Sequence, residues 1–295
     1  SMNATAILIG LGPLIGWGLF PTLASKIGGR PVDQIVGTAF GTFIFALVVA
    51  MVNGLSLPTG WNLVLTIASG IGWASAEIIT FKSFAMIGSS RAMPITTAFQ
   101  LLGASLWGVI ALGNWPGITA KIVGGIALIM IIFGASLTVW SEHKTKENSK
   151  LITQAVGWLA VGEIGYWVYS AAPQATPVDG MHAFLPQAIG MVIVGVVYAV
   201  FLSMKGEKSA LTEAVSYKQI ISGFFFAFAA LTYLISAQPN MNGLATGFIL
   251  SQTSVVLATL TGIWFLGQKK TPKEMAVTIA GLVLILVAAT ITVMI

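Results

Sequence analysis

The chain has 295 residues, of which 56% are hydrophobic and only 8% charged. A soluble domain carries about 25% charged residues, so this chain cannot cover its surface with polar groups and reads as an integral membrane protein. The absence of cysteine excludes disulfides and thiolate metal ligation. The net charge of +5 reads as basic cytoplasmic loops, not as a surface for nucleic acid.

A bilayer core of about 30 Å needs about 20 apolar residues per helix. Taken in chain order, such segments run over 4–24, 32–52, 61–83, 92–113, 119–140, 153–172, 182–203, 217–236, 244–266 and 274–294. No charged n-region or cleavage site precedes the first, so it is expected to be a span and not a signal peptide. The longest polar connection is expected at Ser141–Lys150. Ten spans place alternate loops on one side. That side receives Lys26, Arg30, Lys82, Arg91, Lys144, Lys146, Lys150, Lys205, Lys208, Lys218, Lys269, Lys270 and Lys273, and the other receives Lys121 alone. The positive-inside rule then puts the basic side in the cytoplasm. The expectation is a multi-pass plasma-membrane protein with both termini extracellular.

The two halves echo each other. "QIVG" at Gln34 returns as "QAIG" at Gln187, and "SG" at Ser69 returns at Ser222, each 153 positions on. Gln100 is matched by Gln252, and Trp17 by Trp167, at nearly the same offset. A repeat of five spans is odd, so its second copy enters the membrane inverted. The fold expected is therefore all-α, with ten transmembrane helices as two inverted five-helix repeats (1–140 and 151–295) in a single transporter domain. Such repeats place a substrate near the midplane, at their interface.

Two carboxylates fall inside the predicted spans beyond their first two residues. Glu77 sits five residues before Lys82, near the expected end of its span, within reach of headgroups, Lys82 or Arg91. Glu163 lies about 15 Å from either end of its span. An acid so placed costs at least about 2.5–3.5 kcal/mol and marks an ion or substrate path. Glu163 is the expected proton carrier, with Glu77 as the second candidate; a neutral Glu163 bonded to a neighbouring helix is the structural alternative. Tyr166 and Trp167 share its helix face. Gln100, Gln252 and Gln187 offer donors and acceptors, which suits a polyol, and the rings of Trp17 and Trp167 suit the apolar face of a sugar. Trp61, Trp115 and Trp140 read as an interfacial belt. His143 and His182 fall in opposite loops, and no metal cluster, nucleophile triad or phosphate loop is visible, so neither enzyme chemistry nor a cofactor is expected.

The stretch "FKSFAMIGSSRAMPITTAFQLLGASLWGVIALGNWPG" is similar to the signature of the glucose/ribose porter family of Gram-positive bacteria, within the drug/metabolite transporter superfamily. "GGRPVDQIVGTAFGT", "GYWVYSAAPQAT" and "PNMNGLATGFILSQTSVVLATLTGIWFL" extend the resemblance over essentially the whole chain, toward the ribose uptake branch. The resemblance implies a ten-helix basket of inverted repeats that imports a sugar by proton symport. Lys82, Ser90, Arg91, Pro94 and Gln100 are the signature positions present here, with Lys82 and Arg91 expected to set topology or to latch a gate through Glu77. The expected partners are thus a monosaccharide, protons and the bilayer. The rival readings are an uncoupled facilitator, an exporter of another small metabolite, and a membrane-embedded sugar sensor.

Overall fold

In a computed structural model that describes residues 3–295, 83% of the chain is helical, with no strand among the described residues. The helical segments are α1 (Ala4–Ile27), α2 (Pro31–Asn53), α3 (Trp61–Ile87), α4 (Ser89–Ala111), α5 (Gly117–Thr138), α6 (Lys146–Ala171), α7 (Gly180–Met204), α8 (Ala214–Ser236), α9 (Gly243–Phe265) and α10 (Pro272–Met294). Nine of these described segments are long and apolar enough to cross a membrane. The other, α6, has 26 residues, but Lys146, Glu147, Lys150 and Glu163 make it more polar.

Local chemistry sets the ends. Thr145 caps α6 by accepting a hydrogen bond from the Asn148 amide, so Lys146–Lys150 of the expected polar loop are helical instead. Thr271 and Glu274 form a reciprocal capping box at α10, satisfying donors that a helix start otherwise leaves open. Gly88, at φ 83°, is the single residue between α3 and α4. That left-handed backbone favours glycine, and it lets α3 run past the expected end at 83 as far as Ile87. Three segments are interrupted: α1 at Leu11, α8 at Gln219 and α9 at Thr253. At Thr253 the backbone turns through tighter bonds, Thr253 N to Leu250 O (3.3 Å) and Val256 N to Thr253 O (3.1 Å).

The principal packing pairs are α3 with α6 and α7, α8 with α1 and α2, α4 with α6, α9 with α1, and the pairs α5–α10, α2–α7 and α4–α9. Advancing each label by five reproduces this set. The crossings are close because they run over glycine. A Cβ on Gly70 would overlap the Gln187 carbonyl, and one on Gly190 the Ile67 carbonyl, at the α3–α7 crossing. At the α2–α8 crossing Gly37 faces the Ser216 carbonyl and Gly223 the Thr38 carbonyl in the same way. These four glycines are themselves related by 153 positions. On the outside of α5, Ile118, Ile122, Ile126, Ile129 and Phe133 form one exposed stripe, far more apolar surface than water tolerates.

Trp61 lies exposed as an interfacial residue does, but Trp115 does not. It is buried at 6% exposure, donates its indole N–H to the Thr292 carbonyl at 3.0 Å and covers Gly124. An indole whose only donor is satisfied inside the protein has no need of a headgroup. The α3–α7 crossing gives a direct test. Gly70→Ala should destabilise the protein by about 1–3 kcal/mol through overpacking, read as a lower thermal midpoint in detergent, whereas Gly125→Ala, inside a helix and facing open space, should leave the midpoint unchanged or raise it.

Candidate functional site

Where α1, α3, α4, α6, α8 and α9 meet, two connected chambers open inside the bundle. The inner one, about 130 Å³, reaches Glu77, Thr80, Phe84, Met93 and Thr96. The outer one, about 400 Å³, extends past Gln187 to Pro173, Gln174 and Val178 in the α6–α7 connection. They share Trp17, Trp73, Gln100, Tyr169, Ser251 and Gln252. For scale, a cavity of about 150 Å³ holds a benzene.

One wall is aromatic. Trp73 stacks on Tyr169 with centroids 4.1 Å apart and approaches Phe226 at 4.6 Å, while Trp17 contacts Phe226 and Tyr233. The same chambers are lined by amides. Gln100 donates to Thr96 Oγ1 at a long 3.4 Å and Gln252 to Ser251 Oγ at 3.3 Å, so neither amide is strongly committed. Gln187 is tied more firmly, donating to Ser69 Oγ at 3.1 Å, which donates on to the Tyr169 carbonyl at 2.6 Å.

At the inner end, the Tyr166 hydroxyl donates to Glu77 Oε1 at 2.8 Å and lies 2.9 Å from Thr80 Oγ1. Glu77 is 7% exposed and stands ten positions before Ile87, about 15 Å of helix rise from that end. It therefore sits deep, not at the interface. It does not pair with Lys82 or Arg91 either. Lys82 Nζ lies 3.7 Å over the Trp158 ring, and neither cation takes part in the ion pairs found among the described residues.

Glu163 lies outside both chambers. Its carboxylate packs against Gly103 of α4, and its Oε2 is buried without a hydrogen-bond partner. Trp167 is also outside the chambers, 40% exposed and edge-on to Trp107, whose indole N–H donates to Gln174 at 3.2 Å. The structure thus brings together Glu77, Tyr166, Gln100, Gln252, Trp17 and, farther out, Gln187. It adds Trp73, Tyr169, Thr80 and Thr96. Trp73 stands out in the sequence as a deep tryptophan, but nothing marks Tyr169, Thr80 or Thr96, because an aromatic or threonine in a span is ordinarily packing.

The chamber is shut on the side that carries the basic residues. Phe20, Phe81 and Phe84 pack edge to face. Thr22 and Thr261 meet at 2.7 Å across α1 and α9, and Asp33 joins Arg30 to Ser216. Gln268 Oε1 accepts from the Ser90 amide at 2.9 Å.

The family described as "Sugar transport protein" matches residues 8–295. The chain belongs to that sugar transport family. Its relatives include the "Putative ribose uptake protein RbsU" of Enterococcus faecalis, 74% identical with both chains fully covered. The proteins of that name from Lactiplantibacillus plantarum and Staphylococcus epidermidis are 74% identical over 99% of each chain and 70% identical over all of each chain. A solved chain described only as "Crystal structure of protein" superposes with TM-score 0.66 at 15% identity, over 98% of this chain and 99% of that one, and so shares its fold. This member of the sugar transport family is a multi-pass membrane protein, a transporter and not an enzyme.

Near the closed face, Lys270 Nζ donates to the Thr138 carbonyl and to Thr278 Oγ1, both at 2.7 Å. Burial, with Arg91 nearby, pushes its amine down to about 8. Between about pH 8 and the ordinary lysine range near 10.5 the unfolded chain binds more protons than the folded one, so stability rises with pH there. Thermal midpoints measured from pH 7.5 to 10 should therefore climb for the wild type relative to Lys270→Met.

Proposed function

We propose that the protein imports a monosaccharide, ribose foremost, across the plasma membrane by proton symport. The observation that carries this reading is the chamber: the aromatic rings of Trp17, Trp73 and Tyr169 line it together with the loosely held amides of Gln100 and Gln252. Pyranose and furanose rings present apolar C–H faces and polar hydroxyl edges, and this lining matches both. The names of the relatives support ribose over other sugars.

The architecture proposed is ten spans in two inverted five-helix repeats, 1–140 and 151–295, with both termini outside. The recurrence of the packing pairs after five helices supports it, as do the glycine crossings 153 positions apart and the distribution of Lys and Arg. In that orientation the outer chamber opens to the cell exterior through the α6–α7 connection, and the cytoplasmic face is closed.

Within the chamber Gln100, Gln252 and Tyr166 bind hydroxyls, Trp17 stacks on the ring, and Gln187 receives the sugar on its way in. Trp167 acts from behind, through Trp107 and Gln174, at the outer mouth. Lys82 and Arg91 hold the topology. Deep in the spans lie two acids, Glu77 in the chamber and Glu163 outside it, and one of them carries the proton.

Uptake of labelled ribose into proteoliposomes tests the reading. An inward proton gradient should drive accumulation above equilibrium. Gln100→Ala and Gln252→Ala should each raise KM about tenfold, the worth of one or two lost hydrogen bonds, with the protein amount unchanged. Ribose equilibration that ignores the gradient would make this a facilitator, and no ribose flux at all would refute the substrate.

A further inference from the structure

Resting on the transport reading above, we propose that Glu77 is the sole acid through which the proton gradient drives the sugar, with Tyr166 as its positioning residue. Three observations lead there.

The first is access. Glu77 lines the inner chamber beside Gln100 and Gln252, where it can touch both the sugar and the water that enters with it. Glu163 is separated from both, lodged against Gly103. A group that couples two ligands must change its interaction with each of them, and only Glu77 meets this requirement by contact.

The second is the absence of a counter-ion. Among the described residues the titratable groups around Glu77 are Tyr166 and Tyr169 of α6, with Glu163 one turn before Tyr166. The chamber faces of α1, α2, α4, α7 and α9 offer none. Tyr233 of α8 lies in the outer chamber, and Lys82 is turned onto Trp158. Closing the chamber expels the water that solvates a carboxylate, and no cation replaces it. Closure is thus favoured around the neutral acid. Closure without sugar would also bury the Gln100 and Gln252 amides with only their long contacts, so the state that closes well carries both proton and sugar.

The third is broken symmetry. At the repeat offset of 153, Glu77 corresponds to Ala230 and Thr80 to Tyr233, and both of these line the outer chamber. One half supplies the acid and the other an apolar wall, which sets the stoichiometry at one proton per sugar.

In the outward-open state Glu77 takes one proton from chamber water. Its new O–H donates to a sugar hydroxyl oxygen, while its other oxygen keeps accepting from Tyr166. After the basic face opens, the sugar departs. The O–H bond then breaks, the proton passes to water on that side, and the electron pair stays on the carboxylate. One sugar and one positive charge cross in each cycle.

The test compares wild type, Glu77→Gln, Glu163→Gln and Tyr166→Phe in proteoliposomes, using gradient-driven ribose accumulation, ribose counterflow without a gradient, and the current evoked by ribose. Glu77→Gln keeps the size and hydrogen bonding of the neutral acid. It should retain counterflow within about threefold of wild type while losing both accumulation and current. Glu163→Gln should keep all three. Tyr166→Phe, which also removes a sugar contact, should slow counterflow and in addition shift the pH at which accumulation is half-maximal. Accumulation that survives in Glu77→Gln overturns the proposal, as does loss of coupling in Glu163→Gln. Loss of counterflow in Glu77→Gln would make Glu77 a sugar-binding or structural residue, which also overturns it. A wild type that carries ribose without current overturns the symport reading itself, and one that carries none overturns ribose; both are visible before any variant is compared.

Discussion

The arrangement depends on one constraint: a polar group inside a membrane-spanning bundle has to find its partner in the protein, because lipid offers none. Helices satisfy the backbone. Many hydroxyls bond back to their own helix, and other side chains pair across helices, Gln187 with Ser69, Thr22 with Thr261, Asp33 with Ser216, and Tyr166 with Glu77. Each pair joins segments far apart in the chain, so the polar residues work as cross-links that set which helices are neighbours. The rule is relaxed at Glu163 Oε2, which is buried without a partner, and in the chamber. Gln100 and Gln252 have only long contacts there, and loosely held donors are what an incoming ligand of many hydroxyls can use.

The close crossings follow from the same constraint. Helices in lipid gain little from burying apolar surface against each other, so they rely on backbone approach and dispersion. Gly70 and Gly190 at one crossing, and Gly37 and Gly223 at the other, bring helix axes close enough for backbone carbonyls of one helix to rest on the next. Larger residues there would push α3 from α7 and α2 from α8, and α3, α7 and α8 each carry part of the chamber wall.

Much of this was legible in the sequence. Hydropathy marked the segments because a span must be apolar along its length, and the echo of Gln34 in Gln187 and Ser69 in Ser222 fell on residues that sit at the helix crossings. The grouping of Gln100, Gln252, Trp17 and Tyr166 was also within reach, since amides and aromatics deep in a span stand out against aliphatic neighbours. What was not legible depended on ends and rotations. Glu77 looked peripheral because Lys82 seemed to close its span. The helix runs on to Ile87, and the lysine leaves its own axis to lie over Trp158. Glu163 looked central by depth alone, but depth says nothing about which side of a helix faces a cavity, and it faces Gly103. Trp115 looked interfacial because its partner, the Thr292 carbonyl, lies 177 positions away.

The tightened turn at Thr253 separates Gln252 from the half of α9 that holds Thr261 against Thr22. A short stretch of i→i−3 bonding inside a helix is a common place for bending. The matching amide, Gln100, stands in the unbroken helix α4. The two amides that face a ligand are therefore mounted differently, one on a jointed arm and one on a stiff post. A ligand that grips both would be felt mainly by the arm, so the outer segment of α9 is the part of the wall best able to follow the ligand while the seal at Thr261 stays shut.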